Sequence, residues 1–196
     1  IRYAVGRRDL LGSYLVDLVA MALAYPTALF PLMAIELHAE WAQGLLFSAG
    51  AFGALLASAT SGWADRVTHH GRAIALSATV WGLAIAGFAL SRSIAPALAF
   101  LVLAGAADMV SGIFRMTLWN STVPDGMRGR LAGLEALSYG LGPVVGQVRG
   151  GATAAVLGAR TALWSGGLAC MVGIAAVCAA LPELWRYTAD LAPSKR

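Results

Sequence analysis

The chain has 196 residues, of which 59% are hydrophobic, 12% are charged and 23 are glycine, and its formal net charge is +4. Soluble domains carry about 25% charged residues, so this composition excludes an ordinary water-solvated domain and points to lipid as the surrounding medium. Six apolar stretches, at 10–35, 41–63, 73–90, 94–119, 131–157 and 161–181, are each long enough to cross the roughly 30 Å of a bilayer's hydrocarbon.

The lead-in, residues 1–9, ends in Arg7-Arg8-Asp9, and the first stretch carries Asp17 roughly 13 Å further along a helix, close to mid-membrane. Tyr25-Pro26 and Pro31 then interrupt that stretch. Such breaks are tolerated in lipid where neighbours or water satisfy the freed carbonyls, so the interruption is either a kink lining a cavity or a structural bend. The second stretch has small residues every fourth position at Gly50, Ala54, Ser58 and Gly62, which marks a packing face for a neighbouring helix. A short loop with Asp65, Arg66, His69, His70 and Arg72 follows. Its histidines lack metal-ligand spacing and read as solvated, so no metal is expected. The third stretch has no ionisable group and is expected to face lipid.

The fourth stretch holds Asp108 near its middle and Arg115 seven residues on, on the same helical face and roughly 10 Å apart. A charge in hydrocarbon is costly, so both should face protein or a watery cavity, and both are functional candidates. The fifth stretch repeats small residues at Ser138, Gly142, Gly146, Gly150, Ala154 and Gly158, with Pro143 inside it: a packing ridge with a kink. Arg149, also at membrane depth, requires a countercharge, for which Asp108 or Asp17 is the first candidate and an anionic substrate the alternative. The last stretch carries Cys170 and Cys178, about 12 Å apart on one helix and too far to bridge within it. Residues 182–196 read as a short cytoplasmic tail.

Basic residues cluster on one side. With the first loop in the cytoplasm, Arg2, Arg7, Arg8, Arg66, Arg72, Arg128, Arg130, Arg186, Lys195 and Arg196 all fall there, opposite Arg92 and Arg160. This is the positive-inside bias; it places both termini in the cytoplasm and accounts for the basic charge without nucleic acid. The start at Ile1, without a methionine, fits a piece of a longer chain.

The loop Asp65-Arg66 followed by Gly71-Arg72 resembles the Gly-x-x-x-Asp-Arg-x-Gly-Arg loop of the major facilitator superfamily, with Ser61 at the first glycine and extra residues before Gly71. The string Ala104-Gly105-Ala106-Ala107-Asp108, with Arg115 and the later Val-Pro-Asp-x-x-Arg-Gly-Arg, is similar to the branch containing exporters of the enterobactin-exporter type. Gly142-Pro143-Val144-Val145-Gly146 resembles the superfamily's antiporter motif, although Ser138 and Gln147 stand where glycine is wanted. The resemblance covers essentially the whole chain, as helices seven to twelve of twelve. It implies an all-α membrane protein in which six transmembrane helices form two inverted three-helix repeats at 10–181, preceded by a lead-in from the inter-domain linker. Asp17-Leu-Val-Ala and Asp108-Met-Val-Ser align across those repeats.

The function so implied is a secondary active transporter of the inner, cytoplasmic membrane. It would export a small amphipathic molecule such as a siderophore or drug, driven by protons, together with an N-terminal six-helix half. Asp17, Asp108, Arg115 and Arg149 are the transport and proton-coupling candidates, and the resemblance gives Asp65, Arg66 and Arg72 the role of a gating loop. No cofactor is implied and no enzyme is expected: the Gly-x-Gly-Asp signature of intramembrane aspartyl proteases, serine elbows and zinc helices are absent. The rivals are a non-transporting membrane scaffold and, further off, such a protease.

Overall fold

A computed structural model describes residues 7–188 apart from 125 and 127. Residues 1–6 and 189–196, with Arg2, Lys195 and Arg196, lie outside the described residues, as do Asp125 and the side chains of Arg128, Arg130 and Ser138. The fold is all-α, with no strand among the described residues. Helix α1 (Arg8–Ala24) stops before Pro26; a 3-10 turn (Thr27–Leu29) leads into α2 (Phe30–Glu36). Then come α3 (Gln43–Ala59), a 3-10 segment (Ser61–Arg66), α4 (His70–Leu90), α5 (Ile94–Thr122), α6 (Arg128–Leu157), α7 (Ala159–Ala180) and the short α8 (Pro182–Arg186).

Five segments among the described residues are long and apolar enough to cross a membrane: Arg8–Glu36, Glu40–Ala59, His70–Leu90, Ile94–Thr122 and Ala159–Ala180. Helix α6 has 30 residues, ample length, but Glu135, Gln147 and Arg149 make it more polar and it is not among the five. Large apolar side chains such as Phe52, Leu55, Leu83, Val148 and Val172 are more than half exposed, while Leu10, Met33, Leu46 and Phe88 are sealed inside. Helices apolar on both faces have no water-facing side, as expected of a multi-pass membrane protein.

Helix α5 packs along α3 and α4, α4 along α7, and α1 along α6 and α7. Lipid provides no hydrophobic drive between helices, so the contacts depend on close backbone approach through small residues. A Cβ on Gly105 would strike the Gly50 carbonyl, and one on Gly53 the Val102 carbonyl. On α6 the expected ridge is used: Gly142, Gly146 and Gly150 lie against Met21, Tyr25 and Leu29, and the helix is continuous across Pro143.

Three expectations are corrected. The α4 stretch is the most buried of the five, not a lipid-facing one: Ile74, Trp81, Ile85 and Phe88 fill the space between α5 and α7. On α3 the buried line is Leu46, Ala49, Gly53 and Ala57, one residue before the anticipated stripe; Gly50 and Ala54 border a cleft, and Ser58 and Gly62 are not buried. Two small-residue lines run side by side there, and α5 touches both, Gly105 against Gly50 and Val102 against Gly53. His70 is buried at the start of α4 rather than solvated; its ring lies 5.2 Å from Phe114 and Nε2 is 2.9 Å from the Val67 carbonyl.

Charged clamps hold both ends of the bundle. At one end Arg160 binds Glu36 at 2.6 Å and donates to the Ala89 carbonyl at 2.8 Å and the Ser91 carbonyl. At the other, Arg8 donates to Glu183 at 2.8 Å and Arg72 lies over the Trp185 ring at 5.7 Å. The hydrogen bond from Arg8 holds the Glu183 carboxyl below its ordinary range. Helix α8 is thereby folded under the bundle, its Leu184 side chain against Gly12.

Replacing Gly105 with alanine should cost about 1–3 kcal/mol, because the new methyl meets backbone that cannot yield. Gly112→Ala, in open space on the same helix, should be neutral or stabilise by up to about 1 kcal/mol, because alanine is the better helix former. Thermal unfolding of the two variants in detergent checks the difference.

Candidate functional site

The site forms where α1 and α5 face each other at mid-length. Asp108 is the fifteenth of the 29 residues of α5, and Arg115 follows two turns later on the same face. Asp17 lies on the buried face of α1 with Val16, Ala20 and Met21. Arg115 Nη1 is 2.8 Å from Asp17 Oδ1, and both side chains are almost closed to solvent, at 10% and 3% exposure. This is a buried ion pair between the two halves of the sequence. Its partners are held by different helices, so the pair fixes α1 against α5.

Asp108 does not join that bond. It makes no hydrogen bond or ion pair with the described residues, although the charges of Arg115 and Asp17 both act on it, with opposite signs. Asp108, Asp17, Ser111 and Trp81 share a void of about 10 Å³, room for a single water at most. On its other side Asp108 borders a cleft of about 260 Å³. The break at Tyr25-Pro26, with Thr27 and Phe30, forms one wall; Phe47, Gly50 and Ala54 of α3 and Trp81 of α4 form others. The interruption of the first span therefore lines a cavity. Phe30 stands edge-on to Phe47, with ring centres 5.0 Å apart.

Arg149 goes elsewhere. No carboxylate among the described residues pairs with it, so the expected countercharge, Asp108 or Asp17, is corrected: Nη2 donates to the Ala162 carbonyl of α7 at 3.3 Å. A Cβ on Gly166 would stand 2.5 Å from both that nitrogen and the Leu23 carbonyl. The guanidinium thus occupies a notch cut by Gly166 beside the carbonyl end of α1, where the helix dipole favours a cation. Its hydrogen-bond partner among the described residues is that one carbonyl, and its Nε is buried without a partner.

The loop residues stand apart from this centre. Asp65 and Arg66 are exposed at the end of the 3-10 segment, and Arg72 is exposed on α4 over Trp185. Gly142, Pro143, Gly146 and Gly150 belong to the α6 face that supports α1. Reading the sequence missed Phe30, Phe47 and Trp81. The signal for Trp81 is its depth: tryptophan in a span favours the interfaces, and this one is twelfth of 21 residues in α4. Phe30 and Phe47 carry no such mark.

Comparisons with family models, with curated proteins and with solved structures find no match for this chain.

Removing one member of a buried ion pair strands the other. Asp17→Asn should therefore destabilise the protein by about 3–5 kcal/mol, and adding Arg115→Met should restore much of the loss. Unfolding midpoints of the single and double variants in detergent measure this. Equal loss in both would show that the pair does not act as a unit.

Proposed function

We propose that the chain is the C-terminal six-helix half of a major facilitator superfamily secondary transporter, which exports a small amphipathic molecule across the cytoplasmic membrane in exchange for protons. The observation that carries this reading is Asp108: a carboxylate at the midpoint of a long apolar helix, open to a cleft and outside the neighbouring ion pair. A charge in that position has a use, because a structural role is already filled by Asp17 and Arg115.

The neighbour relations support the architecture. Exchanging α1 with α5, α3 with α6 and α4 with α7 turns the α3–α5 packing into α6–α1, and the α4–α5 packing into α7–α1, while α4–α7 maps onto itself. These matched pairs support two inverted three-helix repeats, with α6 as the sixth span and its Arg149 sheltered by α7, although the α6–α7 and α1–α4 packings have no counterpart in α3–α4 and α5–α7 among the described residues. Asp17 and Asp108 are equivalent positions in that arrangement. Asp65 and Arg66, exposed at the end of α3's extension, are available to lock against an N-terminal half. Both termini, the lead-in and the tail are cytoplasmic in this arrangement.

Proton exchange takes place at Asp108. Arg115 is two turns away and committed to Asp17; a shift of α1 against α5 alters how much of its charge Asp108 feels, and so links access to protonation. Asp17 and Asp108 border one void, an arrangement that a proteolytic aspartate pair also has. Such a pair shares a proton between its two acids, however, whereas here Arg115 neutralises one of them.

Inside-out vesicles from cells expressing the complete reading frame provide the test. Adding a transported solute should discharge an imposed pH gradient in wild type but not in Asp108→Asn, with both proteins inserted at equal level. Undiminished solute-dependent proton movement in the variant overturns the reading.

A further inference from the structure

We propose that the cleft beside Asp108 takes an amphipathic organic cation, its positive group on the Asp108 carboxylate and its apolar body against Phe30, Phe47 and Trp81. The inference deepens the transporter reading and rests on it for its setting; it chooses between the anionic and cationic solutes that the sequence leaves open.

Charge placement carries the choice. Asp108 is the one Asp, Glu, Lys, Arg or His side chain lining the cleft among the described residues. Neither nearby arginine lines the cleft: Arg115 is bound to Asp17, and Arg149 lies behind α1 against the Ala162 carbonyl. An anion entering the cleft meets an acid and no base, whereas a cation meets a partner. The remaining lining suits the same ligand, since the faces of aromatic rings attract cations and bury apolar carbon equally well. Tyr25 and Thr27 add two hydroxyls.

The lining also separates an organic from an inorganic cation. Hard metal ions require six or more oxygen ligands, and Asp108 is the one acidic residue of a lining that is otherwise mostly hydrocarbon. Its volume, about 260 Å³, sits below the usual range for drug-sized ligands and matches a single ring bearing an ammonium group.

Phenyltrimethylammonium and benzenesulfonate, similar in size and opposite in charge, test the proposal on the protein purified from its complete reading frame in detergent, with binding followed by equilibrium dialysis. The cation should bind and the sulfonate should not compete. Asp108→Asn should weaken the cation by about tenfold or more, as loss of a charged partner does, while Asp108→Glu should retain it. Phe47 is half exposed, so Phe47→Ala should fold normally and weaken binding by about two- to fivefold, the size of one cation–π contact. Equal binding of the sulfonate, or cation affinity unchanged in both Asp108→Asn and Phe47→Ala, overturns the proposal. Charge-selective binding without proton-linked flux would keep this site and remove the transporter reading. Proton-linked flux of benzenesulfonate in place of the cation would do the reverse.

Discussion

The cost of a charge away from water governs this molecule, and the bond between Asp17 and Arg115 is where that cost is met most directly. Neither residue is tolerable alone at that depth. Together they join a helix from the first half of the chain to one from the second, and the join fixes what surrounds it. Trp81 closes the space beside the pair, Ser111 stands one turn before Arg115, and Asp108 is left at the border between packed protein and open cleft. Arg149 meets the same cost only in part, through the Ala162 carbonyl in a notch that glycine leaves open.

Around this centre the bundle holds together through backbone proximity. Glycines at the crossings of α3 with α5 and of α1 with α6 bring main chain against main chain, and the large apolar residues are left to face outward. This distribution leaves bulk on the outer surface as well as in the interior, whereas a soluble domain would keep most of it inside. It also frees room near the middle: where α1 ends before Pro26, the chain steps aside through a 3-10 turn, and the cleft occupies the space.

Much of this was legible from residue order. Spans appear as apolar runs because hydrocarbon demands them, and the helices observed begin and end within a few residues of those runs. The break at Tyr25-Pro26 was marked by chemistry, since proline lacks the amide hydrogen that a helix needs. Partner choice was not legible. Which line of α3 is buried depends on a rotation of about 100° per residue; α5 settles between the two lines, touching both Gly50 and Gly53, which the spacing of small side chains alone leaves undetermined. Arg149 was assigned an acid because sequence shows side chains and hides carbonyls, yet a carbonyl serves. The burial of α4 was hidden for a related reason: a span without charges looks alike in lipid and in the middle of a bundle.

Arg160 shows what such bonds mean for motion. One guanidinium gathers the end of α2 through Glu36, the end of α4 through the Ala89 and Ser91 carbonyls, and its own helix at its first turn. Three rods are thereby tied at one knot, and with α8 tied to α1 and α4 at the far rim their mutual tilt is set from both extremities.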